Sequence, residues 1–145
     1  MSFINTVILA DDDVDDVDVF KEVVDGHIKL IVVKDGKELM SLLGHIYPDL
    51  LFLDLEMPVK NGLECLVEIR NDDRLKDMPI VVFSSTTRQA NIQTAYEMGG
   101  HLFLIKSNTY TELTASIKAI LQLDWSNPIA IKEQYCINNR YVAFT

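Results

Sequence analysis

Short apolar runs alternate along the chain with stretches of helical periodicity, and each apolar run stops on a polar group. Residues 6–10, 28–33, 50–53, 79–83 and 102–105 are mostly apolar and read as strands, 28–33 by its β-branched residues and 50–53 by an unbroken apolar run of the kind that helices cover on both faces. Helices are predicted between them. Val14, Val17, Phe20 and Val24 mark the first, closed by Gly26. Asp35-Gly36 turns into the second, whose stripe is Leu39, Leu42, Leu43 and Ile46 before Tyr47-Pro48 stops it. Asn61-Gly62 opens a third on Leu63, Leu66, Val67 and Arg70, which runs out in the polar residues 71–76. A fourth helix is predicted over 86–98, ending at Gly99-Gly100, and a fifth over 111–123 with Leu113, Ile117, Ile120 and Leu121 inward.

Strand and helix in strict alternation predict an α/β fold: a doubly wound, five-stranded parallel sheet with right-handed crossovers and flavodoxin-like strand order. Composition narrows the setting. A chain of 145 residues with 48% apolar content is long enough for one sizeable core. A net charge of −9 argues against a nucleic-acid surface, which needs clustered Lys and Arg. No apolar run approaches membrane-spanning length, and the N-terminus lacks the basic start of a signal peptide, so a cytoplasmic protein is expected. Cys65 and Cys136 have no metal-ligand spacing and are expected as free thiols.

The candidate chemistry lies where the strands end. In an open parallel sheet, ligands bind in the crevice at the carboxyl ends of the strands. The first run delivers Asp11, Asp12 and Asp13 there; adjacent carboxylates repel unless a cation offsets them, and Mg²⁺ takes one or two carboxylates with waters and phosphate oxygens. Asp13 reads equally as a helix N-cap, and Asp15, Asp16 and Asp18 as partners of the helix dipole. Asp54 follows the third run, where a lone Asp reads as well as a turn cap. Ser84 and Ser85 follow the fourth run and resemble ordinary turn residues when taken singly. Lys106 follows the fifth and faces the acids across the crevice. Asp11, Asp12, Asp54, Ser84 and Lys106 on one rim form a far more specific pattern than any one of them.

With Ile-Leu-Ala-Asp-Asp-Asp (8–13), Leu-Asp-Leu-Glu-Met-Pro-Val-Lys-Asn-Gly (53–62), Val-Phe-Ser-Ser (82–85) and Phe-Leu-Ile-Lys (103–106), residues 4–123 resemble a response-regulator receiver domain of two-component signal transduction, closest in layout to single-domain chemotaxis-type regulators. The resemblance implies that Asp54 accepts a phosphoryl group from a histidine kinase or phosphotransfer protein. It implies Mg²⁺ held by Asp12, Asp54 and the main-chain carbonyl of Glu56, with Asp11 acting through water. Lys106, the Ser84 hydroxyl and the Ser85 N–H would neutralise the transferring group. It further implies a switch in which Ser84 moves toward the phosphoryl and Phe103 turns inward, and an output surface over about residues 87–122. Plain core packing explains Phe103 equally well.

Two positions depart from the family. Ser107 stands where a cis proline usually follows the Lys; a cis bond to Ser would cost about 3 kcal/mol, so a trans Lys106–Ser107 peptide is expected. Glu56 adds a carboxylate two residues after the acceptor, which leaves the dephosphorylation rate open. Two other classes compete. A Mg²⁺-dependent phosphohydrolase of the haloacid-dehalogenase type also uses a strand-end Asp, but after its first strand rather than its third. A phosphorylation-independent pseudo-receiver would not need the complete set of acceptor, acids, hydroxyl and Lys.

Residues 1–123 are thus expected as the receiver domain and 124–145 as an ordered extension, with no separate effector domain and output through contact with a downstream target protein. The extension is too apolar for a solvated tail. Asn127-Pro128 suits a helix start and Asn138-Asn139 a two-residue hairpin turn, and the sequence does not choose between them. Either the segment folds back on its own domain or it joins two copies in a homodimer.

Overall fold

The computed structural model describes residues 4–24, 26–106 and 109–145. In chain order its main elements are β1 (Thr6–Ala10), α1 (Val14–Val23), β2 (Lys29–Val33), α2 (Gly36–Leu43), β3 (Leu50–Asp54), α3 (Gly62–Arg70), β4 (Ile80–Ser84), α4 (Gln89–Glu97), β5 (Leu102–Ile105) and α5 (Tyr110–Leu121). The strands β1 to β5 form one parallel sheet in the order β2-β1-β3-β4-β5, the predicted topology. Register pairs Ala10 with Val33 and Leu53, Leu53 with Val82, and Ser84 with Ile105. The carboxyl ends of all five strands therefore finish level along one rim.

Alternate strand residues feed two cores. Val7, Leu9, Phe52, Val81 and Phe83 pack with Phe20 of α1 and Ile117 and Ile120 of α5. Ile8, Leu51, Leu53, Val82 and Phe103 pack with Leu39, Leu66, Ile69 and Ile92 of α2, α3 and α4. Burial on both faces is why the runs of β1, β3, β4 and β5 lack alternation, while β2, at the other edge, is mostly half-buried. Phe20 sits edge-on to Phe52 and Phe83, with ring centroids 4.8 and 5.6 Å away. Truncating such a ring to Ala costs about 3–5 kcal/mol. That anchor fixes α1, and with it the position of Asp16 one turn earlier, over the rim.

Several boundaries and faces differ from expectation for local reasons. Asp54 and Ser84 are the last residues of their strands rather than the first beyond them. The helix predicted from Thr86 begins at Gln89, because the N–H groups of Thr86 and Arg88 are taken by Ser84 Oγ and Thr86 Oγ1 and Arg88 stays extended. Helix α1 ends before Gly26, since Val24 is already extended. Helix α3 buries Gly62, Cys65, Leu66 and Ile69, leaving Val67 exposed; this is the 0, 3, 4, 7 stripe counted from Gly62. Val14, in the first turn of α1, is also exposed.

After α5 both predicted features of the extension occur together. Asn127 caps the helix α6 (Pro128–Gln134), and the strands β6 (Cys136–Ile137) and β7 (Arg140–Tyr141) pair antiparallel. Asn138 and Asn139 form their turn at φ 53° and 62°, the left-handed pair that a type I′ turn needs. The segment folds back on its own chain: Trp125 and Ile131 are buried in the core that holds α5, and Tyr141 packs on the other. No helix among the described residues is long and apolar enough to cross a membrane.

Candidate functional site

The rim brings the predicted residues together. Asp11 continues β1, its N–H bonded to Val33 O at 3.0 Å, and is fully buried. Asp54 is buried at the end of β3, with Oδ1 accepting from the Glu56 N–H at 3.0 Å. Asp12 is exposed at the crevice mouth. Asp11, Asp12 and Asp54 each offer a carboxylate oxygen, and the three oxygens lie within 4.8 Å of one another. Asp13 turns away: its Oδ1 caps α1 by accepting from the N–H groups of Asp15 and Asp16. The capping reading holds for Asp13, and Asp11 and Asp12 are left for the crevice.

Gly62 lets this arrangement close. Its N–H bonds Leu55 O at 3.1 Å, and a Cβ there would lie 2.2 Å from the main-chain oxygen of Asp54. The α3 N-terminus can therefore press directly against the end of β3. Asn61 and Glu64 form a reciprocal capping box that fixes the helix start at that point.

Lys106 leaves β5 with its N–H bonded to Ser84 O at 2.8 Å, and its ammonium reaches into the acids. Nζ lies 2.8 Å from Asp16 Oδ2, 3.1 Å from Asp11 Oδ2 and 3.4 Å from Asp54 Oδ2, and 4.9 Å from the centre of the Phe83 ring. Burial works to lower the ammonium's pKa, but its contact with Asp16 and the charges of Asp11 and Asp54 outweigh burial, and the net shift is upward. Burial pushes the Asp11 carboxyl up to about 7, opposed by the Asp13 N–H and Lys106 and reinforced by Asp54 and Asp16. Asp11 Oδ2 and Asp16 Oδ2 are buried yet receive no aligned hydrogen bond, despite the nearby ammonium. A trio of converging carboxylates with a buried oxygen left unsatisfied fits a hard divalent cation, which prefers oxygen ligands.

Ser84 is buried, its Oγ accepting from the Thr86 N–H at 3.2 Å, while Ser85 is exposed. Glu56 is exposed and meets Asp54 through its main chain. Phe103 is fully buried on the face that carries α4. The Lys106–Ser107 peptide, expected to be trans, lies outside the described residues. The groove of 600 Å³ between β2 and α2 holds none of these groups.

Asp16 is the residue that sequence reasoning missed. Its place in the first turn of a helix suggested a dipole partner, yet it is the carboxylate nearest Lys106. A signal was present: Asp16 stands four residues before the buried Phe20, on the same inward stripe of α1.

A family model, the response regulator receiver domain, matches residues 7–118. Response regulator Rcp1 of Synechocystis sp. is 30% identical over 99 residues, which cover 63% of this chain and 67% of the relative. Transcriptional regulatory protein CpxR of Klebsiella pneumoniae is 32% identical over 124 residues; they cover 84% of this chain but 52% of CpxR, so the chain spans about half the length of that relative. Among solved structures, the Mn²⁺-bound form of Rcp1 superposes with TM-score 0.75 at 28% identity, over 80% of this chain and 91% of the other. The phosphorylated cyanobacterial phytochrome response regulator RcpA gives 0.76 at 29%, over 82% and 91%.

Proposed function

Because the chain belongs to the response regulator receiver domain family, we propose that it accepts a phosphoryl group on Asp54 from a histidine kinase or phosphotransfer protein and signals through contact with a downstream protein. The observation that carries this reading is the convergence of Asp11, Asp12 and Asp54 on one point, with the Lys106 ammonium beside them. The phosphorylated form of RcpA and the Mn²⁺-bound form of Rcp1 support it by likeness.

In this reading the phosphorus–nitrogen bond to the donor imidazole breaks as an Asp54 oxygen forms its bond to phosphorus. The Glu56 N–H on Asp54 Oδ1 holds the carboxylate in one rotation, so the attacking oxygen is presented without a search. Charge on the transferring oxygens is met by Lys106, by the Ser84 hydroxyl and by the Ser85 N–H, all at adjacent strand ends. Asp12, Asp54 and the Glu56 carbonyl would hold Mg²⁺, with Asp11 acting on it through water. The bound ion would neutralise the acids and the developing phosphoryl charge. Reversal by water returns Asp54 to its free form, so the domain takes part in its own phosphorylation and dephosphorylation while its role is signalling.

The test is incubation with acetyl phosphate and Mg²⁺, followed by intact mass for the wild type and Asp54→Ala. Gain of one phosphoryl group by the wild type alone is expected. Continuous turnover of acetyl phosphate without a phosphorylated protein would instead favour a phosphohydrolase, and no reaction a pseudo-receiver.

A further inference from the structure

Strand β5 is an edge of the sheet, with β4 on one side. Edge strands leave a row of unpaired N–H and C=O groups, which proteins cover or blunt. Here the outward main-chain groups of Phe103 are both taken. Its N–H donates to Tyr96 Oη at 3.0 Å, and its C=O accepts from the N–H of Phe144 at 2.8 Å. The hydroxyl of Tyr96 in turn donates to Val142 O at 2.8 Å, so one buried group joins the strand to the tail.

The rest of the tail is held just as specifically. On α4, Gln93 Oε1 accepts from the Tyr141 N–H at 2.9 Å, and Gln89 Nε2 donates to Tyr141 O at 2.6 Å. These two side chains lie four residues apart on one helical face and hold both main-chain groups of one residue, Tyr141. The Tyr141 ring stacks on Tyr96 with centroids 4.6 Å apart. Phe144 and Thr145 also line a cavity of 660 Å³ with Ser85 and Lys106, beside the crevice but away from its acids.

We propose that residues 140–145 are a tethered cover for the outer edge of β5, docked while Asp54 is unphosphorylated and released when it carries a phosphoryl group. Release opens the α4–β5 face to an extended, aromatic-bearing segment of a downstream protein. The proposal rests on Asp54 being the phosphoacceptor. Its physical route is short: Lys106 and Ser84 are bonded through their main chains, and Lys106 stands three residues beyond Phe103 on the strand that holds the tail. A new anion at Asp54 draws Lys106 and Ser84 toward it, and any shift of β5 that follows breaks the paired bonds at Phe103. Coupling of this kind is reciprocal, so a loosened tail must favour phosphorylation. The occupant's chemistry defines the partner's: a segment that can offer an N–H to Phe103 O and an aromatic ring to Tyr96.

The experiment is amide hydrogen exchange at Tyr141 and Phe144, whose N–H groups are held by Gln93 and Phe103, in the full chain, with and without acetyl phosphate and Mg²⁺, with intact mass read on the same samples. Exchange faster by roughly fivefold or more in the phosphorylated protein is expected. A phosphorylated mass with unchanged protection would overturn the proposal while leaving the phosphoacceptor reading intact. No mass gain would refute the phosphoacceptor reading, and the coupling with it. The double variant Gln89→Ala/Gln93→Ala removes the clamp without touching core or crevice. It should raise Phe144 exchange in the unphosphorylated protein and the phosphorylated fraction at fixed acetyl phosphate; a loosened tail with an unchanged fraction refutes the coupling. A synthetic peptide of residues 135–145 should bind the phosphorylated chain more tightly than the unphosphorylated one, and equal binding counts against the exposed face.

Discussion

Replacing Asp11 with Asn should stabilise the metal-free fold while weakening its hold on a divalent cation. Asp11 is fully buried, and burial keeps its carboxyl near 7 against an ordinary 3.8. At 1.36 kcal/mol per tenfold change in proton affinity, that difference is about 4 kcal/mol, a ceiling on what the ionised group costs the fold. The folded state holds this proton more tightly than the unfolded chain does. Its contribution to stability is therefore complete below pH 3.8 and is lost as the pH rises to about 7. Asn retains an oxygen for the Asp13 N–H, which donates to Asp11 Oδ1 at 2.9 Å, and removes one like charge from beside Asp54 and Asp16. Lys106 loses one of three anionic neighbours, which offsets part of the gain. The net expectation is about 1–3 kcal/mol of stabilisation at pH 8. Urea denaturation in EDTA at pH 5 and pH 8 measures it: the wild type should lose stability between the two, and Asp11→Asn should lose much less. Mg²⁺ at a hundred times its Kd should return about 2.7 kcal/mol to the wild type, and far less to the variant. A variant less stable than wild type at pH 8 in EDTA, or one with the same pH slope, would refute the reasoning.

Three further outcomes are expected. Asp12→Asn should lower Mg²⁺ affinity about tenfold more than Asp13→Asn, because Asp13 is committed to the α1 cap; calorimetric titration giving equal losses would contradict this. Gly62→Ala should cost about 1–3 kcal/mol or more, since the new Cβ would meet the Asp54 oxygen and the Leu55 Cα, at 2.2 and 2.7 Å, and neither can rotate away; an unchanged Tm would show the contact to be soft. Asp16→Asn should raise affinity for beryllofluoride in the presence of Mg²⁺ about two- to tenfold by freeing Lys106 for Asp54, the scale of one ion pair worth roughly 1 kcal/mol; unchanged or weaker binding argues against competition between the two acids.

The strands were legible because burial on both faces leaves unbroken apolar runs, and runs such as 6–10 and 102–105 have little other meaning in a chain of this size. The rim residues were legible for the same reason: whatever follows such a run stands at the crevice. Helix faces were harder. In α3 the apolar residues Leu63, Leu66 and Val67 suggest one stripe, but the inward one runs through Gly62 and Cys65, because only glycine permits the helix to touch the end of β3. The start of α4 was hidden by Ser84 and Thr86, whose hydroxyls take the N–H groups that a longer helix would have used. The tail's course depends on partners far away in sequence, Gln89, Gln93 and Tyr96, which no local pattern links to Tyr141.

Asp16 was passed over for a different reason, although its place on the inward stripe of α1 pointed to the rim, and it exposes the logic of the crevice. Acids in the first turn of a helix are stabilised by its dipole, so their sequence position already has an explanation. Here the same placement adds a fourth carboxylate to Asp11, Asp12 and Asp54, and among the described residues the ammonium of Lys106 is the cation that meets them. Stability alone would not assemble this: the buried Asp11 is held far from its ordinary range, and two buried carboxylate oxygens lack an aligned donor. Conflict of this kind between local groups and the fold concentrates at functional sites. The division of parts is also uneven. Asp11 and Asp54 are fixed by backbone hydrogen bonds at rigid strand ends, while the cation rides on a flexible four-carbon stem and rests closest to Asp16, the acid farthest from the proposed chemistry in role. A change of charge at Asp54 is therefore answered first by Lys106, which can leave Asp16 without any strand moving. In the proposed coupling the pull then passes to β5 through the main-chain bond from Lys106 to Ser84 and along the three residues to Phe103, where the tail is attached.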